Sequence, residues 1–495
     1  MKDTLDLNSK NLFVFFGVII GFIALVIYGL MRDIPYAIAI PIIVLGLLIA
    51  VNNYSIYFYF LLASLPISID VYFGSLSLST PSELFMLILS AVVLILLFNN
   101  KLRLKEYLNN SLVILLILQV LLFVFNIFIS IEPVLSLKYL LAKLWFYLAL
   151  IVIPLIIFKK EADFKKAFWS FYIPLIATVL YTILRHALTS FGFEDVNSSA
   201  RPFYVNHVIY ACTLGLALPF SVAALGWYKN NYWIRLFLLG TILILLFAIV
   251  TSYTRTTWLS VFAAIAALVV FKTKYLKHAI VVALIALVGF CYYLVDNNRY
   301  MNYAPNYQQT VFNQDDFGKH MEATVELSDI SGMERIYRWV AAVNLIQHHF
   351  WLGTGNNTFY PTYKRYANPA FITYVSDNPE RSSTHNYFLL VFCDQGVFGF
   401  IIFSLIYLIA IVKTHTIYNR TRDKFIRVLM TACFATLVIF LVHLALGDMV
   451  EVDKNGGIFL VVLACIIYFD NQTRKSNYSL TSNASLNPEE NTLKA

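Results

Sequence analysis

Charge is what this chain has least of. Asp, Glu, Lys and Arg make up 13% of its 495 residues, where a soluble domain carries about 25%. With 60% of positions hydrophobic, that shortage excludes a soluble globular protein. Period-two alternation is also missing, because the apolar runs are continuous, and this excludes an outer-membrane barrel. The five cysteines, Cys212, Cys291, Cys393, Cys433 and Cys465, show no CxxC spacing and sit inside or at the ends of apolar runs. They read as small buried hydrophobes, not as a disulfide framework or metal ligands. No cofactor or metal site is implied. The first run, Asn11 to Leu30, lacks the small-residue exit of a cleaved signal peptide and reads as a retained first span.

What is present is a series of apolar runs near the ~20 residues needed to cross a hydrocarbon core of ~30 Å. They fall at approximately 12–30, 35–50, 56–69, 84–97, 112–131, 139–157, 168–184, 203–225, 233–250, 258–271, 280–295, 387–412, 428–446 and 458–469. The expected fold is all-α, a polytopic transmembrane helical bundle of about 12–14 spans. The second to fourth runs are short or interrupted. Clusters such as Lys101/Arg103/Lys105, Lys159/Lys160/Lys165/Lys166, Lys272/Lys274/Lys277 and Arg420/Arg422/Lys424/Arg427 fall in every second loop. The positive-inside rule places those loops, and both termini, in the cytoplasm. This bias accounts for the net charge of +8, so no nucleic-acid partner is expected. The polar, Ser/Asn-rich segment 471–495 reads as a disordered cytoplasmic tail.

The remaining loops face outward. The longest, 296–384, is about ninety residues, and loops of that size are uncommon without a function. Within it, Ser331 and Glu334 have capping-box spacing, and Ile336, Trp339, Val340, Val343 and Ile346 make one apolar helical face. An amphipathic helix of about five turns, on or near the membrane, is expected. Gly353 and Gly355 supply its stop signals. Arg335 and Arg338 stand one turn apart on it, either as solvated, snorkelling side chains or with one binding an anionic head group. Tyr360, Tyr363, Tyr366 and Tyr374 suit an interfacial aromatic belt, and sugar stacking is compatible with them.

The chain then re-enters the membrane at His385. Ser382, Ser383 and Thr384 are natural N-caps there. A helix N-terminus carries about half a positive charge, which attracts phosphate and favours a neutral, basic imidazole. Asn386 is adjacent, and Gly396 and Gly399 follow as a smooth strip for close helix packing. Asp394, an intramembrane carboxylate, either partners a basic group or acts directly. Arg201 and Arg255 each stand at the outer, N-terminal end of a span, where a guanidinium fork and a helix terminus make an anion site. Lys138 is a weaker candidate of the same type. Together these residues suggest a pocket for a phosphorylated, membrane-borne substrate.

His385-Asn386, nine residues, then Gly396-x-x-Gly399, after a long outer loop, resembles the pattern of the O-antigen ligase and O-antigen polymerase superfamily. The Ser252–Arg255 turn, the segment Gly332–Trp339 and the turn Gly353-Thr354-Gly355-Asn356 are similar to the family as well. The resemblance covers roughly Arg201 to Gly399. It implies an inverting, metal-independent glycosyltransferase of GT-C-like architecture without a cofactor. The donor would be a glycan on undecaprenyl pyrophosphate, and the acceptor a sugar hydroxyl such as that of lipid A-core. Membrane lipids surround the site, which faces the periplasm from the bacterial inner membrane. Arg201 and Arg255 would hold the pyrophosphate, and His385 would activate the acceptor. On this reading 1–200 holds the N-terminal helices, 201–470 is the catalytic membrane domain with its loop 296–384, and 471–495 is the tail. The alternatives are a polymerase of the same superfamily and, in another class, a polysaccharide transporter or flippase. A transporter predicts inverted repeats and ionisable groups near the midplane, whereas the charges here cluster at the outer rim.

Overall fold

The computed structural model describes residues 39–73, 76–100, 102, 104–297, 299, 330–367 and 383–486. The run expected at 12–30 lies outside them. Within the described residues, every later apolar run lies mainly in helix. The helices are α1 Ala39–Ile67, α2 Ser82–Phe98, α3 Ser111–Ile129, α4 Pro133–Ile157, α5 Glu161–Ala187, α6 Val196–Ala200, α7 His207–Trp227, α8 Tyr232–Thr251, α9 Arg255–Phe271, α10 Leu276–Val295, α11 Ile330–His348, α12 Phe359–Thr362, α13 Tyr387–Arg420, α14 Lys424–Ala445 and α15 Asp453–Leu486. Among the described residues, nine are long and apolar enough to cross a membrane, and α2 and α9 are shorter apolar helices. The protein is a multi-pass helical membrane protein.

Local chemistry explains the irregularities. α1 takes two runs together and bends at Asn53, whose φ of −137° and ψ of 44° are not helical. α4 opens into a π-turn at Leu148–Val152, just ahead of Pro154, because proline cannot donate the next ladder bond. Between α1 and α2 the chain forms an antiparallel hairpin, β1 Ile69–Phe73 with β2 Leu76–Thr80, Ile69 opposite Thr80. The sequence reading did not anticipate it, although Leu76-Ser77-Leu78-Ser79 alternates with period two.

Lipid tails are as apolar as leucine, so close packing and polar links hold such helices together. One core cluster joins α1, α2, α4, α13, α14 and α15, and a second fills the space among α5, α7 and α8. Polar stitches run through both. Tyr172 donates to Thr241 at 2.8 Å, and Thr257 meets His443 Nε2 at 3.2 Å.

The two ends of the bundle differ. At the basic end, the buried Asp470 carboxylate pairs with Lys413 and with Arg474 at 3.1 Å, and accepts from Asn110 at 3.1 Å. α15 does not stop there. The polar segment expected to be disordered from 471 is helical as far as Leu486, and Asn471 donates to the Glu106 carbonyl at 2.9 Å. Residues 487–495 lie outside the description. The opposite end carries the candidate site.

Candidate active site

His385 sits in a tight turn ahead of α13. Its φ is 53°, left-handed and uncommon for a residue with a side chain. Neighbours hold it there. Ser383 Oγ accepts the His385 N–H at 3.2 Å, and the Thr384 hydroxyl accepts from the Asn386 N–H at 3.2 Å while donating to the Asn386 carbonyl at 2.6 Å. The helix cap is Asn386, whose Oδ1 accepts from Leu389 N at 3.1 Å. Ser383 and Thr384 therefore shape the turn instead of capping the helix, and Ser382 lies outside the described residues.

Among the described residues, Arg338 of α11 is a direct partner of the histidine. Arg338 is 1% exposed. Its Nη1 donates to the Ser383 carbonyl at 3.1 Å and lies 3.2 Å from His385 Nε2. A guanidinium has donors only, so Nε2 must offer its lone pair and the ring proton must reside on Nδ1. The snorkelling reading of Arg338 is thus corrected: the side chain is buried and aimed at the motif histidine. Arg335, one turn earlier, is half-buried.

The helix α11 is not laid on a surface. It buries Tyr337, Val340, Ala341, Ala342, Leu345 and Ile346 against α12 and α13. Of the expected apolar face, Val340 and Ile346 are buried, while Ile336, Trp339 and Val343 are half-buried. Tyr363 is buried and stacks on Phe359 at 5.1 Å, and Tyr366 bonds His349 Nε2 at 2.9 Å. Those tyrosines pack the loop, in place of the expected belt; Tyr374 is outside the described residues.

A break in α13 locks α11 in place. At Gly396, φ is 66° and ψ is −168°, a conformation essentially confined to glycine. The break frees backbone groups, and the segment after α11 takes them. Thr354 N–H donates to the Cys393 carbonyl at 3.0 Å, Gly355 N–H to the Asp394 carbonyl at 2.9 Å, and Val397 N–H to the Phe350 carbonyl at 2.9 Å. A Cβ on Gly396 would lie 2.2 Å from the Trp351 carbonyl oxygen, and one on Gly353 would lie 2.5 Å from the Asp394 backbone. The glycines are therefore a kink and its socket, which corrects the reading of a smooth strip. Asp394 belongs to the same lock. Its Oδ2 accepts the Asn357 N–H at 2.8 Å, so the carboxylate binds loop backbone, and it pairs with no basic side chain among the described residues.

Arg201 and Arg255 lie on two segments that both bond to another residue, His207, the first of α7. Arg201 follows α6 and is exposed, and its carbonyl accepts from Arg185. Asn197 of α6 accepts from the His207 backbone. On the other flank Thr254 Oγ1 donates to the His207 carbonyl at 3.3 Å, and Arg255 comes next. The turn that delivers Arg255 passes through Tyr253, whose φ is 54° and whose hydroxyl donates to the Phe191 carbonyl at 2.7 Å.

The segment 449–455 touches both groups. Glu451 accepts from Tyr387 at 2.9 Å and Tyr139 at 3.2 Å, and pairs with the buried Lys143 at 2.9 Å. Tyr387 is two residues past His385. Asn455 accepts from Thr213 of α7 at 2.7 Å, and the Lys454 ammonium lies 5.6 Å from the Tyr204 ring. Sequence reasoning missed Lys143, Glu451, Lys454 and His207. A lysine inside the run 139–157 was the available signal for the first. Lys138, the cation it did select, is exposed on the same helix.

A kinked, multi-pass bundle with a histidine–arginine couple at one end defines a membrane protein built around a polar terminal site. Residues 239–404, about a third of the chain, match the family model described as O-antigen ligase. This segment holds Arg255, Arg335, Arg338, His385, Asn386 and Asp394. The match supports a likeness of this segment to the O-antigen ligase and polymerase superfamily of glycan-processing membrane enzymes. Arg201, Lys138 and Glu451 lie outside the matched residues. No curated protein matches the chain.

Proposed function

We propose that this protein is an O-antigen ligase-type glycosyltransferase. It moves a glycan from undecaprenyl pyrophosphate to a sugar hydroxyl, such as that of lipid A-core, on the periplasmic face of the inner membrane. The acceptor oxygen attacks the anomeric carbon of the donor sugar with inversion. The bond from that carbon to the diphosphate oxygen breaks, and the diphosphate leaves with the electron pair. Arg201 and Arg255 hold the diphosphate, with Lys138 at the rim. Cations that bind it more strongly as charge develops lower the barrier. His385 Nε2 takes the acceptor proton.

The observation that carries this reading is the contact between Arg338 and His385 Nε2 at 3.2 Å, inside the O-antigen ligase segment. It supports a neutral imidazole whose basic nitrogen is held ready beside a cation. The same cation must release Nε2 before a proton lands there, and an arriving diphosphate offers the guanidinium a better partner.

The test is transfer in proteoliposomes, with glycan-bearing undecaprenyl pyrophosphate and lipid A-core supplied together. Wild-type protein should consume the donor and extend the acceptor, and a His385→Ala variant should lose about 10²–10⁴-fold in rate. Full activity in that variant would end the proposal. In cells, long glycan chains accumulating on the carrier after deletion mark a ligase, whereas single repeats on the acceptor mark a polymerase.

A further inference from the structure

A second histidine at this end of the bundle has its tautomer written into its hydrogen bonds. The backbone N–H and the ring Nδ1 of His207 both lie 2.8 Å from one atom, Asn197 Oδ1. A backbone N–H can only donate, which identifies that atom as the amide oxygen and not the amide nitrogen. An amide oxygen only accepts, so Nδ1 carries a proton. In the neutral ring the lone pair is then on Nε2. Phe193 meets the imidazole edge-on at 6.3 Å, and the Phe193 ring in turn meets the Tyr253 ring at 5.5 Å, which links the imidazole to the segment that carries Arg255. Asn197 stands four residues before Arg201, and Thr254, bonded to the His207 carbonyl, directly precedes Arg255. The contrast with His385 is direct: there Arg338 engages Nε2, whereas no hydrogen bond between described residues takes up Nε2 of His207.

We propose that His207 reads the sugar of the donor: Nε2 accepts the hydrogen of a glycan hydroxyl next to the diphosphate, while Arg201 and Arg255 hold the diphosphate itself. The inference rests on the function proposed above and adds to it a specificity-determining residue. Its physical basis is a division of labour. Guanidinium groups supply donors only, so they suit phosphate oxygens and cannot accept from a hydroxyl. A carboxylate could accept, but it would repel a diphosphate a few ångströms away. A neutral imidazole with its lone pair fixed accepts without that repulsion. Asn197 is a positioning residue in this scheme, because it sets the tautomer and touches no substrate.

The test measures binding of two probes to the purified full-length protein in nanodiscs: undecaprenyl pyrophosphate without sugar, and glycan-bearing undecaprenyl pyrophosphate extracted from the producing cells. His207→Phe keeps a ring against Phe193 and removes the acceptor. It should weaken the glycan-bearing carrier about tenfold, the value of one hydrogen bond at the upper end of its range, and leave the bare carrier unchanged. Arg201→Ala and Arg255→Ala should weaken both probes alike. His207→Gln, which restores an acceptor, should recover part of the loss, and serves also if the phenylalanine variant does not fold. Asn197→Leu should reproduce the selective loss in smaller measure. Equal weakening of both probes by His207→Phe, or of neither, overturns the role of His207. Failure of the wild-type protein to bind either probe overturns the underlying function instead.

Discussion

Arg338 Nη1 stands 3.2 Å from His385 Nε2, so the motif histidine meets a cation at that nitrogen. In triads that use an acid to orient histidine, the acid also stabilises the imidazolium that forms. A guanidinium does the reverse and occupies the ring's lone pair until it moves. Arg338 and His385 should therefore act as one unit. Arg338→Ala and His385→Ala should each slow transfer at least tenfold, and the double variant should be no slower than His385→Ala alone. Single-turnover rates in proteoliposomes measure this. Losses that multiply would show that the two side chains work independently.

The kink at Gly396 makes a stability prediction. A methyl group there would meet the Trp351 carbonyl oxygen at 2.2 Å, at a φ of 66°. Gly396→Ala should destabilise the protein by about 1–3 kcal/mol from backbone strain alone, and should also displace α11 and Arg338 from His385. Gly240→Ala is the control, since nothing lies within 4 Å of a Cβ at that helical glycine. It should be neutral or stabilising by up to about 1 kcal/mol. Thermal unfolding in detergent compares the two.

These cases show which features the amino-acid sequence made legible. Each of the long helices except α11 corresponds to an apolar run, because bilayer thickness fixes run length and nothing non-local enters; α11 was legible instead from its amphipathic spacing. His385 and Asn386 were readable for the same reason: they lie on one continuous segment. Arg338 was visible as an arginine on a helix, but its partner is 47 residues away, and no local pattern carries that pairing. The glycines 353, 355 and 396 read as stop signals and packing surface because their real partners are each other's segments. Glu451 and Lys143 join through tertiary contact; the buried lysine was a signal, whereas the glutamate sat in an unremarkable polar loop.

At the other end of the bundle, Asp470 is 1% exposed and pairs with Lys413, itself 6% exposed. Removing one partner of such a pair leaves a buried charge without compensation, which costs about 3–5 kcal/mol. Asp470→Asn should lower stability by an amount of that order. Replacing both members, Lys413→Met with Asp470→Leu, should recover most of the loss, since no buried charge is then stranded; Arg474 and Arg420, which also pair with Asp470, are partly exposed and can be solvated. Because the pair lies away from the histidine turn, whatever folded protein remains should transfer glycan at the wild-type rate per molecule. Unfolding midpoints, with activity normalised to folded protein, test both parts.

Glu451 ties α4 to the turn that carries the histidine. It pairs with Lys143 at 2.9 Å and accepts from the Tyr387 hydroxyl at 2.9 Å, two residues from His385. Glu451→Gln keeps the shape but strips Lys143 of its counter-charge, so both stability and transfer should fall. Tyr387→Phe separates the two effects. It leaves the ion pair intact and removes only the link to the turn, a change worth about 1 kcal/mol in stability. If the link positions His385, this variant should still lose kcat severalfold with KM unchanged, because a small displacement of a reacting group is felt more in the rate than in binding. If transfer by Tyr387→Phe instead matches wild type while Glu451→Gln is slow, the ion pair acts on the fold alone, and the turn is held by its own hydroxyl contacts at Ser383 and Thr384.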